Sequence, residues 1–136
     1  MVQRYITVGL RRLVRERAAE RCEYCLLPEW MSAVVHWVDH IVAEKHGGQT
    51  TEANLAFSCA RCNQYKGSDL SSIDPESGLV TPLFNPRIDS WADHFRASDG
   101  TIEPLTPQGR VTVRLLQFNL PYRVEERMIL QRLGLL

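Results

Sequence analysis

The sequence predicts an α+β fold organised on a strand–loop–strand–helix unit. Residues 31–38 and 54–58 are rich in β-branched, aromatic and other apolar side chains suited to a pleated surface, with a polar, glycine-bearing loop between them. Two C-x-x-C pairs, Cys22/Cys25 and Cys59/Cys62, bracket this unit as C-x2-C-x33-C-x2-C. The flanking chain reads as helices and one hairpin, with no repeat and no heptad pattern.

Taken in order, Thr7 caps a predicted helix over 8–21, with Leu10, Leu13, Val14 and Ala18 at helical spacing and the arginines mostly off that stripe. Cys22-Glu23-Tyr24-Cys25 forms a tight knuckle, and Pro28 breaks the chain before a strand over 31–38. Asp39 to Glu52 reads as a loop around Gly47-Gly48, followed by a short strand over 54–58. Cys59 to Cys62 turns into a helix stopping near Gly67. Residues 68–86 read mainly as loop, with a short strand over 79–84. Asp99-Gly100 is a hairpin signal. Thr106-Pro107 starts a helix through Phe118, and after Asn119-Leu120-Pro121 a last helix runs to about Leu133. Trp91, Phe95 and Phe118 are expected in the core.

At 136 residues the chain is expected to form a single domain, 1–136, able to bury a modest core. No apolar run approaches the ~18 residues of a membrane span, so no membrane partner is expected. The start, MVQRYITVGLRR, lacks a charged segment followed by an apolar one, so the expected location is cytoplasmic. In that setting paired C-x-x-C knuckles favour metal over disulfides.

Net charge is zero but unevenly spread. Residues 1–21 hold six arginines, Arg4 among them, against two glutamates, a net +4, and residues 110–136 carry +3, leaving −7 for the centre. Basic ends around an acidic, metal-using centre fit an enzyme acting on nucleic acid, and they fit ordinary solvated helix faces equally well.

Four thiolates close a tetrahedral zinc site with no open position, so such a zinc would be structural. His40 follows a carboxylate where a strand opens into a loop. Neutral imidazole can take a proton from water near neutral pH. Asp39 and Asn63 offer hard oxygen ligands suited to Mg2+ or Mn2+. Such an ion polarises a phosphate and neutralises a leaving oxygen. Any one of these residues alone would more often be structural; their order and spacing carry the argument. His36 is expected to pack or to support the site from behind, and His46 either touches phosphate or caps the loop. Lys66, three residues after Asn63, shares its helix face and is a candidate substrate contact. Arg61 and the helical arginines Arg11, Arg12 and Arg15 are candidates of the same kind.

The segments RCEYC (21–25), VDHI (38–41), HGG (46–48), NLAFSC (54–59) and CNQYKG (62–67) resemble the HNH family of nucleases, the ββα-metal group. The motif core is 21–67, and residues 79–136 form a C-terminal accessory region whose LFNPRIDSWADHF and LTPQGRVTVRLLQFN resemble small stand-alone bacterial members. The resemblance implies an endonuclease hydrolysing DNA, double-stranded most readily, to leave 5′-phosphate and 3′-hydroxyl ends. It implies His40 as general base, Asp39 and Asn63 as ligands of the catalytic ion, and Asn54 as the central asparagine holding the loop. The four cysteines match the zinc-binding subset. Asn63 stands where the final histidine of the motif is usual, which leans towards oxygen-bound ions, and Ala43 stands where proline is common. Cutting two strands with one site per chain would take a homodimer or successive nicks. The rival reading is a catalytically silent zinc module binding nucleic acid or protein; it gives Asp39, His40 and Asn63 no purpose.

Overall fold

The structure, a computed structural model, describes residues 5–136, so Arg4 lies outside the described residues. Its elements are α1 (Val8–Arg17), β1 (Trp37–His40), β2 (Leu55–Ser58), α2 (Ala60–Lys66), β3 (Ser71–Ile73), β4 (Val80–Pro82), α3 (Trp91–His94), β5 (Phe95–Ser98), β6 (Thr101–Pro104), α4 (Pro107–Leu115) and α5 (Pro121–Arg132). The three antiparallel pairs β1–β2, β3–β4 and β5–β6 are separate two-stranded sheets. Helices mixed with small antiparallel sheets make this an α+β fold.

The β1–β2 hairpin divides the interior. Side chains alternate across a strand, so Leu55 and Phe57 face α1 with Val14, Leu10 and Val38, while Ala56 faces the opposite side. On that side Ala56 joins the four cysteines, Tyr24, Ile41, Phe84, Phe95, Ile102, Leu116 and Phe118. The motif segment and the C-terminal region therefore share one buried cluster. Trp91 packs on its edge and donates its Nε1–H to the Tyr24 carbonyl at 2.9 Å.

Several boundaries move from the sequence expectation. α1 stops at Arg17, not Arg21, because Ala19 and Glu20 adopt left-handed φ values of 54° and 58°. That turn leads into the Cys22 knuckle. The expected 31–38 strand is confined to Trp37–His40, since its partner runs only from Leu55 to Ser58 before Cys59 caps α2. Glu29–Met31 is instead a 3-10 turn, and Val35 stays 76% exposed. Asp39 and His40 consequently lie in β1 rather than in the loop. The 68–86 segment contains a hairpin, β3–β4, closed around the Asp74 turn. α4 ends at Leu115, before Gln117 takes a left-handed φ of 53°.

Candidate active site

The two knuckles place all four Sγ atoms within 4.8 Å of one another, and all four cysteines are buried. Cys25 and Cys59 Sγ are 3.7 Å apart, near the ~3.8 Å edge of a tetrahedron with 2.3 Å zinc–sulfur bonds and far from the ~2.05 Å of a disulfide. Each knuckle turns its own amide onto sulfur: Cys25 N–H to Cys22 Sγ and Cys62 N–H to Cys59 Sγ, both at 3.4 Å. Burial pushes the Cys22 and Cys62 thiols up, whereas hydrogen bonding within the cluster holds Cys25 well below the ordinary range. The donor set is positioned to hold a metal ion and fits zinc.

Asp39 of β1 points to the α2 side, where it meets Asn63. The facing amide atom of Asn63 is 2.9 Å from Asp39 Oδ2 and 3.3 Å from Oδ1. With the amide nitrogen in that position, Asn63 donates a hydrogen bond to the carboxylate. Turned over, the amide puts an oxygen there, and 2.9 Å matches the ~3.0 Å edge of an octahedron with 2.1 Å metal–oxygen bonds. The donor set thus fits a hard divalent ion. Burial raises the Asp39 pKa, offset in part by the Lys66 cation and the His40 backbone N–H.

His40 ends β1, its side chain 11% exposed. Its Nε2 lies 2.8 Å from Thr50 Oγ1 and 3.7 Å from Glu44 Oε1. Among the described residues Nδ1 has no partner, so it is the nitrogen open to a water. Asn54 ties the intervening loop shut. Its Oδ1 accepts from Val42 N–H at 2.9 Å, and its Nδ2 donates to the carbonyls of Val42 at 3.0 Å and Gln49 at 2.9 Å. The glycine pair serves this closure: Gly47 takes a left-handed φ of 88°, and a Cβ on Gly48 would lie 1.7 Å from the Val42 carbonyl oxygen.

The structure therefore brings Asp39 and Asn63 together, sets His40 next along β1 against Thr50, and has Asn54 close the loop that follows, while the expected substrate contacts are engaged elsewhere. Lys66 is a correction: it is 3% exposed and donates Nζ to the Ile41 carbonyl at 2.9 Å, beneath the site rather than towards solvent. Its helix position is right for the site, but the amine satisfies a buried backbone oxygen. Arg61, two residues before Asn63 on α2, is not at the cluster; its guanidinium stacks over Tyr122 at 4.5 Å. Arg11, Arg12 and Arg15 line an open groove of about 860 Å³ with Val35, His36 and Phe57, on the α1 side of the hairpin. Arg15 there pairs with Glu20 at 2.7 Å and Glu29 at 2.9 Å. His36 packs on that side, 6% exposed, with Nε2 on the Leu27 carbonyl at 2.8 Å. His46 Nε2 lies 3.2 Å from the Ser68 carbonyl. Thr50 and Glu44, which support His40, were not singled out by the sequence; only their place between the histidine and NL (54–55) marked them.

An antiparallel hairpin crossed by a helix, with its acidic, imidazole and amide groups on the hairpin's rim, defines a ββα-metal fold. Residues 22–69 match the family model described as HNH endonuclease, so this segment is similar to an HNH endonuclease domain. Its four cysteines, positioned to bind a metal ion, are consistent with the zinc-type members. No curated protein and no solved structure matches the chain. Among the described residues no helix is long and apolar enough to cross a membrane.

Proposed function

We propose that the protein is a metal-dependent endonuclease hydrolysing phosphodiester bonds in DNA, double-stranded DNA foremost. The observation that supports this is the pairing of Asp39 Oδ2 with the side-chain amide of Asn63, 2.9 Å apart, next along β1 from His40, whose Nε2 is held by Thr50. Asp39 and Asn63 would hold a Mg2+ or Mn2+ ion, and the cysteines a structural zinc. The bound divalent ion would polarise the phosphate and neutralise charge on the leaving oxygen. His40 Nδ1 accepts the proton of the attacking water. Thr50, on the opposite ring nitrogen, fixes the ring plane. Asn54 holds the loop that carries Thr50, so the base is preorganised before substrate arrives. With one such site per chain, a double-strand cut takes two copies or two successive nicks.

The test is plasmid nicking by purified protein with Mg2+ or Mn2+, beside His40→Ala. Loss of a positioned general base is expected to lower the rate by about 10²–10⁴-fold. Equal nicking by the parent and His40→Ala would assign the activity to a contaminant and return the chain to a binding module.

A further inference from the structure

Arg123 on α5 is 4% exposed, and among the described residues no carboxylate is ion-paired with it. A buried cation without an anion is costly, and neighbouring carbonyl dipoles do not neutralise it. Both terminal nitrogens of its guanidinium nevertheless have partners. Nη1 donates to the carbonyls of Leu116 at 2.7 Å and Gln117 at 3.0 Å, just beyond α4. Nη2 reaches Cys62 Sγ at 3.1 Å and Cys59 Sγ at 3.9 Å. The sulfurs are the only partners here able to carry negative charge. Four neutral thiols could not balance Arg123, whereas four thiolates around one Zn2+ leave two negative charges in excess.

We propose that Arg123 is a positioning residue for the zinc centre. Its guanidinium partly neutralises the tetrathiolate and locks the C-terminal helix onto it. This rests on the reading of the cysteine cluster as a zinc site. The fork geometry matters as much as the charge, because one side chain bridges two carbonyls on one side and sulfur on the other. Partners of this kind hold ligands in place and slow their escape from the metal. Cys62 directly precedes Asn63, so the contact also fixes the start of α2, from which Asn63 reaches Asp39. The Arg61–Tyr122 stack joins the same two helices from outside. The C-terminal region thereby gains a role that no motif in it announces.

The test is zinc release from the loaded protein into excess chromogenic chelator, which needs no nuclease activity. Arg123→Met is expected to release zinc about 10- to 100-fold faster than the parent. Arg123→Lys keeps a charge but cannot span the carbonyls and sulfur together, so its rate should fall between the two. Arg127→Met is the control. Arg127 is also buried on α5, donating to the carbonyls of Gly100 and Phe118 and to no sulfur. That variant should lose stability and release zinc at the parent's rate. Parental release from Arg123→Met overturns the proposal, as does release from Arg127→Met as fast as from Arg123→Met. Should Arg123→Met not be recovered folded, Arg123→Lys decides: a parental rate overturns the proposal, a faster one supports it. Parent protein purified without bound metal would fail the zinc reading and this proposal with it, whereas loaded protein with unchanged release fails this proposal alone.

Discussion

Asn54→Ala removes the clasp of the loop between β1 and β2 without touching His40, Asp39 or Asn63. Three hydrogen bonds disappear, two to Val42 in a partly buried setting and one to Gln49 at the surface. At about 1 kcal/mol net for each of the first two and less for the exposed third, the loss is roughly 2–3 kcal/mol. For a chain of this size that lowers Tm by about 6–12 °C. Asn54→Asp sharpens the test. It keeps an acceptor for Val42 N–H but turns a charged oxygen towards the Val42 and Gln49 carbonyls, which need donors, so it should melt no higher than the alanine variant. Thr50 directly follows Gln49, so the loosened loop also frees the His40 ring. Nicking should therefore fall at temperatures where the variant is still fully folded. Thermal melts by circular dichroism, run beside nicking assays at 25 °C or below, measure both. An Asn54→Ala protein melting within about 2 °C of the parent, or an aspartate variant more stable than alanine, would refute the clasp.

Three further outcomes follow from the same reasoning. Gly48→Ala should destabilise by about 1–3 kcal/mol or misplace the loop, since its Cβ would meet the Val42 carbonyl oxygen at 1.7 Å; a parental melt would contradict this. Cys59→Ser should abolish stoichiometric zinc, about one ion per chain in the parent by mass spectrometry or emission analysis, and lower stability sharply. Asp74 has no exposed side-chain surface and is held bidentate by Arg110, at 3.0 and 2.8 Å, which keeps its carboxyl far below the ordinary 3.8. A depressed folded-state pKa contributes stability that is fully present above the unfolded value and is lost as pH falls from there through the folded value. Asp74→Asn should therefore lower Tm at pH 7, and the gap to the parent should narrow progressively as melts are run at pH values further below about 3.8; a constant gap across that range would show that the ionised pair is not the source.

What was legible in the sequence was whatever a local pattern encodes. The knuckles, the Thr7 and Thr106 caps, the Asp99-Gly100 hairpin and the ββα order are each written in a few adjacent residues, and the structure has them all. Strand length was not local. Residues 31–36 suit a pleated surface as well as 37–40 do, but a strand extends only as far as a partner runs beside it, and β2 ends where Cys59 must start a helix. The β3–β4 hairpin was missed for the complementary reason: Ser71-Ser72 is weakly strand-like, and the pairing is anchored from outside by Arg110 on Asp74.

The basic residues show most clearly where sequence reasoning stops. On sequence, lysine and arginine are expected at the surface, on phosphate or simply solvated, because burying them alone is costly. That cost vanishes when the fold supplies partners. Lys66 finds the Ile41 carbonyl with Asp39 nearby, Arg123 finds carbonyls and sulfurs, and Arg127 finds the ends of the β5–β6 turn and α4. Each partner is distant in sequence from the cation or joined to it only by a turn no pattern specifies. The four cysteines could be paired with one another from spacing alone, but the cation that faces them lies 61 residues beyond Cys62 and became visible only once α5 was packed in place.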